Sequence, residues 1–205
     1  LSEAIALLHQ HGSEAKVLAG GHSLIPAMRL RFVQPSHLID ISGIGGLSYI
    51  RESDGFLRIG AMTREVELED SELVQSNYPI LLDTTKMIAD PQVRNLATVG
   101  GNLAHGDPAN DHPATMLALR AQVEITGQSG KRIVPIDDFF PDFFTTVLEH
   151  GEILTEIQIP VSPPNSGGAY FKIERKVGDY AVAAVAAQVS LGADGTFQQV
   201  GLGLT

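Results

Sequence analysis

The sequence contains no cysteine among its 205 residues. This absence excludes disulfide bonds, thiolate nucleophiles, zinc–cysteine sites and ligation of iron–sulfur clusters by this chain. It is compatible with a reducing compartment.

Positive charge and long apolar runs are also scarce. The 14 Lys and Arg residues against 24 Asp and Glu residues give a formal net charge of −10, which argues against nucleic acid, since phosphate binding needs a basic face. Apolar runs such as Ile80–Leu82 are far shorter than the ~20 residues of a membrane span. With 43% hydrophobic and 19% charged residues, the composition is typical of a soluble globular protein.

The first fifty residues predict an α/β unit. Apolar spacing and turn residues indicate a helix over Ser2–Gln10, a strand over Lys16–Ala19, a helix over Leu24–Leu30 and a strand over His37–Ile41. The first residue is not a methionine, and we expect a few residues upstream of it.

The rest of the chain predicts mixed α and β structure. We expect a β-hairpin around Gly55, a helix capped by Thr63, a helix over Tyr78–Ile88 and a helix from Asp111 to Leu119. Further strands are expected at Val123–Thr126, Arg132–Ile136 and Ile153–Ile159, and after the Pro- and Gly-rich stretch Pro160–Gly168. We therefore divide the chain into residues 1–52, 53–160 and 161–205. The last part is too short for its own core, so we expect the chain to continue.

Two glycine pairs each follow a predicted buried strand, Gly20–Gly21 in "AGGHS" and Gly100–Gly101 in "TVGGN". Adjacent glycines let backbone N–H groups converge and let an anion approach closely. Ser23, Thr98 and Asn102 add neutral donors, and no lysine is present. Two such turns facing each other would suit a diphosphate. The alternative is that each pair only makes a tight turn between a strand and a helix.

Other fingerprints are absent or weak. "GIGGLS" (43–48) lacks the last glycine of a dinucleotide fingerprint, and neither a P-loop nor a G-x-S-x-G elbow occurs. "HGDPANDH" (105–112) offers two His and two Asp residues, but Gly106 and Pro108 make it a poor rigid metal site. We expect no metal ligands and no acid–base catalytic residue, since His22 beside a glycine turn more often contributes its backbone.

Four motifs occur in the order of a known family: "AGGHSLIP", "ADPQVRNLATVGGNLAHGDPANDHPA", "GEILTEIQIP" and "YFKIERKVGDYAVAAVAA". In this order they resemble the FAD-binding subunit of molybdenum hydroxylases, which is related to the xanthine dehydrogenase flavin domain. The nearest type is the medium subunit of aerobic carbon monoxide dehydrogenases. The resemblance implies an α+β, two-lobed fold of the PCMH type, with a small α/β lobe at 1–52 and a larger α+β lobe at 53–160. A C-terminal α+β domain would begin in 161–205.

The resemblance also implies a cytoplasmic oxidoreductase component that carries FAD. A large subunit with the molybdenum cofactor and a small subunit with [2Fe–2S] clusters would be its partners, assembled as a dimer of heterotrimers. An alternative location is the inner face of the membrane, through the complex. Electrons would pass from the clusters through FAD to a terminal acceptor such as a quinone, dioxygen or NAD.

The cofactor-binding residues implied by the resemblance fall into three groups. Diphosphate contacts would come from both glycine turns, Asp111 would contact the adenosine half or the phosphate–ribose region, and Lys172 would lie near the flavin pyrimidine edge. Ile88 and Leu154 would pack against the cofactor, and Tyr180 would neighbour the ring. The full set is Ala19, Gly20, Gly21, His22, Ser23, Leu24, Ile88, Thr98, Val99, Gly100, Gly101, Asn102, Asp111, Leu154, Lys172 and Tyr180.

Simpler roles for these residues stay open, as do other functions. Lys172 could be an edge charge on a strand, Tyr180 a core aromatic and Asp111 only a helix cap. A stand-alone FAD oxidoreductase, a non-redox module for another diphosphate ligand and a metal hydrolase are the alternative functions. The sequence does not select the substrate of the complex among carbon monoxide, xanthine, nicotinate, aromatic acids and aldehydes, nor the terminal acceptor.

Overall fold

The computed structural model describes all 205 residues. It begins with a small α/β unit that contains two parallel strands. In their pairing, Ala15 lies opposite His37 and Leu18 lies opposite Asp40. Its own core contains Ile5, Leu8 and Ile39. The elements are α1 (Ser2–His11), β1 (Ala15–Leu18), α2 (Leu24–Arg29) and β2 (His37–Asp40), which confirms the predicted order of the first unit.

The second unit is built on a five-stranded antiparallel sheet with the order β3-β4-β7-β5-β6. Its central strand is buried along its length, except at its last residue. The predicted hairpin around Gly55 is confirmed. The strands are β3 (Ile50–Ser53), β4 (Phe56–Gly60), β5 (Gln122–Gly127), β6 (Gly130–Pro135) and β7 (Ile153–Pro160).

Six short helices lie between β4 and β5, and five of them contribute buried residues to a core shared with this sheet. Leu57, Leu103, Ile125 and Ile157 are fully buried in the shared core. The helices are α3 (Glu65–Asp70), α4 (Glu72–Asn77), α5 (Pro79–Met87), α6 (Pro91–Arg94), α7 (Val99–His105) and α8 (Asp111–Ala118). No helix in the structure combines the length and apolar character that crossing a membrane would require.

Two predicted helix caps are wrong. The helix after Thr63 begins only at Glu65, and the Thr63 hydroxyl instead donates to the Tyr49 carbonyl at 3.0 Å. Asn110 occupies the cap position of α8, so that Asp111 is the first helical residue. The carboxylate of Asp111 is thereby free to bind elsewhere.

The last third of the chain forms a three-stranded antiparallel sheet with the order β10-β9-β8. One face of this sheet packs on α5 and α8 through Tyr170, Ala184 and Ala186, which belong to the same core as the five-stranded sheet. Its strands are β8 (Ser166–Glu174), β9 (Ala181–Leu191) and β10 (Phe197–Leu204). The predicted α+β class is confirmed, while the division into three parts stays a prediction whose first boundary falls inside β3.

Candidate functional site

The first glycine turn leaves the carboxyl end of β1 and leads into α2. None of the backbone N–H groups of residues 19–23 donates to a protein acceptor. Gly21 has a φ of +77°, a left-handed conformation that favours glycine. Five consecutive donors without a protein partner are the feature expected of an anion-binding turn.

The second glycine pair has a different local structure. Thr98 is the N-cap of α7, and its hydroxyl accepts from the Gly101 N–H at 3.2 Å. The N–H groups of Val99 and Gly100 donate to the carbonyls of residues 63 and 61, each at 3.0 Å. Because these donors are already used, the interpretation that both pairs present free backbone N–H groups is wrong for the second pair.

Glycine is required at both turns by close packing between chain segments. A β-carbon on Gly20 would lie 2.8 Å from the Ala97 α-carbon, and one on Gly100 would lie 2.7 Å from the Ala61 carbonyl oxygen. A β-carbon on Gly101 would lie 3.7 Å from that of Ala19. The two turns, which are 80 residues apart in sequence, therefore meet where the first unit packs on the second.

Two polar side-chain atoms at this junction are buried and have no partner. They are Nε2 of His22, beside the first glycine pair, and Oδ1 of Asn102, beside the second. Buried polar atoms are rarely left without hydrogen bonds in folded proteins. The five open N–H groups and a protonated Nε2 of His22 are donors suited to an anionic group such as a diphosphate, whereas Oδ1 of Asn102 requires a donor such as a hydroxyl group.

A buried ion pair forms the charged part of the site. The Lys172 ammonium lies 3.0 Å from Oδ1 of Asp111 and donates to the Met87 carbonyl at 2.7 Å. Tyr170 donates its hydroxyl to the same Asp111 oxygen at 2.6 Å, and Glu174 lies 3.4 Å from the ammonium. The Lys172 side chain is fully buried, so its interpretation as an exposed edge charge is excluded.

Burial dominates the protonation of this cluster. It raises the pKa of the Asp111 carboxyl, and the hydrogen bond from Tyr170 and the charge of Lys172 offset only part of this effect. Burial and the Asp111 carboxylate both raise the pKa of Tyr170, which keeps the phenol protonated as a donor. The cluster therefore places the Lys172 side chain beside a carboxyl group whose pKa is raised.

The three remaining predicted contacts lie in different surroundings. Ile88 is buried at the end of α5, and Leu154 is buried in the central strand of the large sheet. Tyr180 is 54% exposed, which excludes its alternative role as a core aromatic. The turn that precedes Tyr180 contacts the connection between α5 and α6. A β-carbon on Gly178, in this turn, would lie 2.7 Å from the Ala89 carbonyl oxygen.

The segment "HGDPANDH" does not bring its ionisable residues together. His105 lies 3.9 Å from Asp107, while Asp111 faces Lys172 and His112 bonds to Glu65. No group of three or more His, Cys, Asp or Glu residues in the structure is placed to hold a metal ion.

Sequence reasoning missed Tyr170, Glu174 and the Glu65–His112 pair. The signal for the first two was the alternation in "YFKIE". Tyr170, Lys172 and Glu174 share one face of β8, whereas Phe171 and Ile173 on the other face are 72% and 68% exposed. Polar residues on the inner face reverse the usual pattern, which makes such a strand a candidate for a site. No local pattern could have paired Glu65 with a histidine 47 positions away.

The open glycine turn and the buried ion pair are features of a domain that binds a cofactor with an anionic group. The chain matches the family model described as "FAD binding domain in molybdopterin dehydrogenase" over residues 1–162, and it belongs to this family. Its cofactor is accordingly FAD.

Curated relatives and a solved structure show which members of this family the chain is similar to. The chain is 51% identical to the carbon monoxide dehydrogenase medium chain of Hydrogenophaga pseudoflava over 91% of its own length and 65% of the relative. It is 46% identical to that of Afipia carboxidovorans over its full length and 71% of the relative. A structure of the Hydrogenophaga pseudoflava enzyme lacking the Mo-pyranopterin moiety superposes with a TM-score of 0.96 at 49% identity, covering 99% of this chain and 70% of that one. The chain thus spans about two thirds of these relatives.

Proposed function

We propose that this chain is the FAD-carrying electron-transfer component of a molybdenum hydroxylase of the carbon monoxide dehydrogenase type. The observation that carries the proposal is the junction of the two glycine turns, where the first turn presents five backbone N–H groups without a protein acceptor. The buried Lys172–Asp111 ion pair supplies the charged part of the candidate site. The identities of 51% and 46% to carbon monoxide dehydrogenase medium chains support the type.

In this proposal the first glycine turn, residues 19–24, holds the diphosphate through its backbone donors. Residues 98–102 contribute mainly shape and the Asn102 side chain, because their N–H groups are used within the protein. Ile88 and Leu154 supply apolar contacts, and the exposed Tyr180 neighbours the flavin ring. Neutral dipoles, rather than a lysine, would then stabilise the two phosphate charges.

We revise one assignment within this set. Asp111 and Lys172 lie 3.0 Å apart, so the carboxylate and the ammonium cannot serve opposite ends of an extended FAD. We assign both to the flavin half of the cofactor. There the ammonium would favour a flavin that gains negative charge, while Asp111 and Glu174 hold the ammonium in place.

Bound FAD would supply the redox chemistry, which in this proposal is the transfer of electrons from [2Fe–2S] clusters to a terminal acceptor. These 205 residues contain no cysteine, which supports assigning the clusters to a partner subunit. A second partner would carry the molybdenum cofactor and oxidise the substrate. The three subunits would pair as a dimer of heterotrimers in the cytoplasm. The chain's own residues bind and orient the flavin and set its electrostatic surroundings.

The test is reduction of the flavin in the assembled complex. Full-length protein is co-purified with its partners under anaerobic conditions, and carbon monoxide is added while cluster and flavin absorbance are followed. The proposal predicts that flavin reduction requires the cluster subunit. Substrate-dependent flavin reduction by the isolated chain would instead identify a stand-alone FAD oxidoreductase.

A further inference from the structure

Glu65 and His112 form a pair that is completely excluded from solvent. Oε2 of Glu65 lies 2.8 Å from Nε2 of His112, and both side chains are 0% exposed. The other polar atom of each side chain, Oε1 and Nδ1, has no partner. Because desolvation offsets most of the attraction in a buried charged pair, such a pair is a poor source of stability. Its position in the fold indicates another role.

Glu65 is tied to the second glycine turn through the backbone. Its N–H donates to the Ala97 carbonyl at 3.0 Å, and the residue before it, Arg64, forms a β-bridge with Thr98. The next bond along this short ladder is from Val99 N–H to the carbonyl of residue 63. Any shift of Glu65 would therefore move the backbone that sets the start of α7.

His112 is tied to the ion pair through its neighbour. It is the second residue of α8, and Asp111, the first, carries the contacts to Lys172 and Tyr170. The α8 N-terminus is joined to the glycine turn by one more bond, from the Asn110 side-chain amide to the Asn102 carbonyl at 2.9 Å. The Glu65–His112 bond and the Asn110–Asn102 bond therefore both connect the N-terminus of α8 to the region of the second glycine turn.

We propose that Glu65 and His112 are positioning residues that fix the Asp111–Lys172 pair relative to the turn at residues 98–102. This inference rests on the proposed function, in which those two elements contact different parts of FAD. Supporting side chains must hold a binding constellation within about 0.5 Å for it to work, and a buried directional hydrogen bond meets that need better than an apolar contact.

The main test replaces both members of the pair. In Glu65→Leu/His112→Leu no buried charge is left without a partner, so the fold is expected to survive. The matched control is Thr115→Val, which removes a buried hydroxyl from the same helix while Thr84 keeps its bond to the Ile80 carbonyl. Each variant is made in the full-length protein within its complex, FAD is removed reversibly, and the Kd for added FAD and the midpoint potential of the bound flavin are measured.

We expect the double variant to bind FAD about tenfold or more weakly, a loss of ~1.4 kcal/mol or more. The midpoint potential of its flavin should fall, because the Lys172 ammonium is no longer held at the ring. The variant Lys172→Met, which removes the ammonium, should change the potential in the same direction. Thr115→Val should change neither quantity beyond about twofold in Kd, a difference of less than ~0.5 kcal/mol. Wild-type Kd and potential in the double variant would overturn the inference while leaving the proposed function intact. A wild-type protein that binds no FAD would overturn the proposed function itself.

A second comparison covers the case in which the double variant does not fold. Gln at position 112 places its amide nitrogen near the imidazole Nε2 position, whereas Asn reaches only to the Nδ1 position. His112→Gln should keep the contact with Glu65 and the wild-type affinity, and His112→Asn should lose both. Equal FAD affinity of the two variants would overturn the inference.

Discussion

The Lys172 ammonium lies 3.0 Å from the Asp111 carboxylate in a fully buried position, with the Met87 carbonyl as a further acceptor at 2.7 Å. A lysine in this setting is held in one place by three oxygen-bearing neighbours, counting Glu174. Its charge is therefore fixed beside whatever binds there. In the proposed function that group is the flavin ring.

Replacing Lys172 by Met should lower the flavin midpoint potential. The positive charge favours the negatively charged reduced flavin, so its removal disfavours reduction, by about 30 mV or more for a two-electron couple, which corresponds to ~1.4 kcal/mol. Spectroelectrochemical titration of the full-length protein measures the shift. Lys131→Met, at a lysine whose side chain is 62% exposed, is the control and should leave the potential unchanged. An unchanged potential in Lys172→Met would remove this lysine from the flavin site.

Tyr170→Phe should weaken FAD binding by disturbing Asp111. It removes a 2.6 Å hydrogen bond to a buried carboxylate, and such a loss costs about 1–3 kcal/mol in stability. Tyr49→Phe is the matched control, because its hydroxyl also donates to a buried carboxylate, that of Glu156, away from the proposed site. Both variants should lower the free energy of unfolding, but only Tyr170→Phe should raise the Kd for FAD. Equal effects on Kd would argue that Tyr170 has only a structural role.

Gly20→Ala should damage the junction of the two glycine turns. The added methyl group would meet the backbone at Ala97, which cannot rotate away as a side chain can, at a cost of about 1–3 kcal/mol. FAD affinity should fall by about tenfold or more, ~1.4 kcal/mol, as the turn is displaced. Gly43→Ala is the control, since nothing lies within 4 Å of its added carbon. Isothermal titration calorimetry measures the Kd for FAD of both variants. A Gly20→Ala protein with wild-type affinity would contradict the proposed position of the diphosphate.

Much of the fold was predictable because it follows local patterns. The hairpin around Gly55 was predicted from its strands and their turn residues. The helix that begins at Pro79 was likewise predicted from its own residues. Helices α6 and α7 were not, because they have four and seven residues and α7 contains the glycine pair itself. A glycine pair predicts a tight backbone approach equally well inside a helix and in a turn.

The site was predictable in its composition but less so in its geometry. The sequence raised the possibility that the two glycine pairs face each other, and the structure places them close together. The use of the Gly100 N–H by the Ala61 carbonyl, however, depends on tertiary pairing that no local pattern encodes. Similarly, the pairing of Asp111 with Lys172 joins residues 61 positions apart. These contacts decide which atoms remain available to a ligand.

The buried Glu65–His112 pair should make stability depend on pH. Burial lowers the pKa of His112, but the Glu65 carboxylate outweighs it and raises the value above its usual 6.5. A group with a raised folded-state pKa binds its proton more tightly in the folded protein, so its stabilisation is fully present below about pH 6.5 and is lost as the pH rises through the folded-state value. Chemical unfolding of the full-length protein between pH 6 and pH 9, roughly the window around the histidine pKa, should show this decline. His112→Gln should flatten it, and an equal decline in that variant would assign the pH dependence to other groups.

The most direct test of the central claim is an FAD titration of the full-length protein, after any cofactor released by denaturation has been identified. The claim is that FAD binds at the junction of the two glycine turns. The account predicts FAD in the released material or, for protein that has lost it, saturable binding of one FAD per chain with a visible flavin spectrum. Full-length protein that remains colourless after titration with excess FAD would contradict it, and the glycine pairs would then be structural turns only.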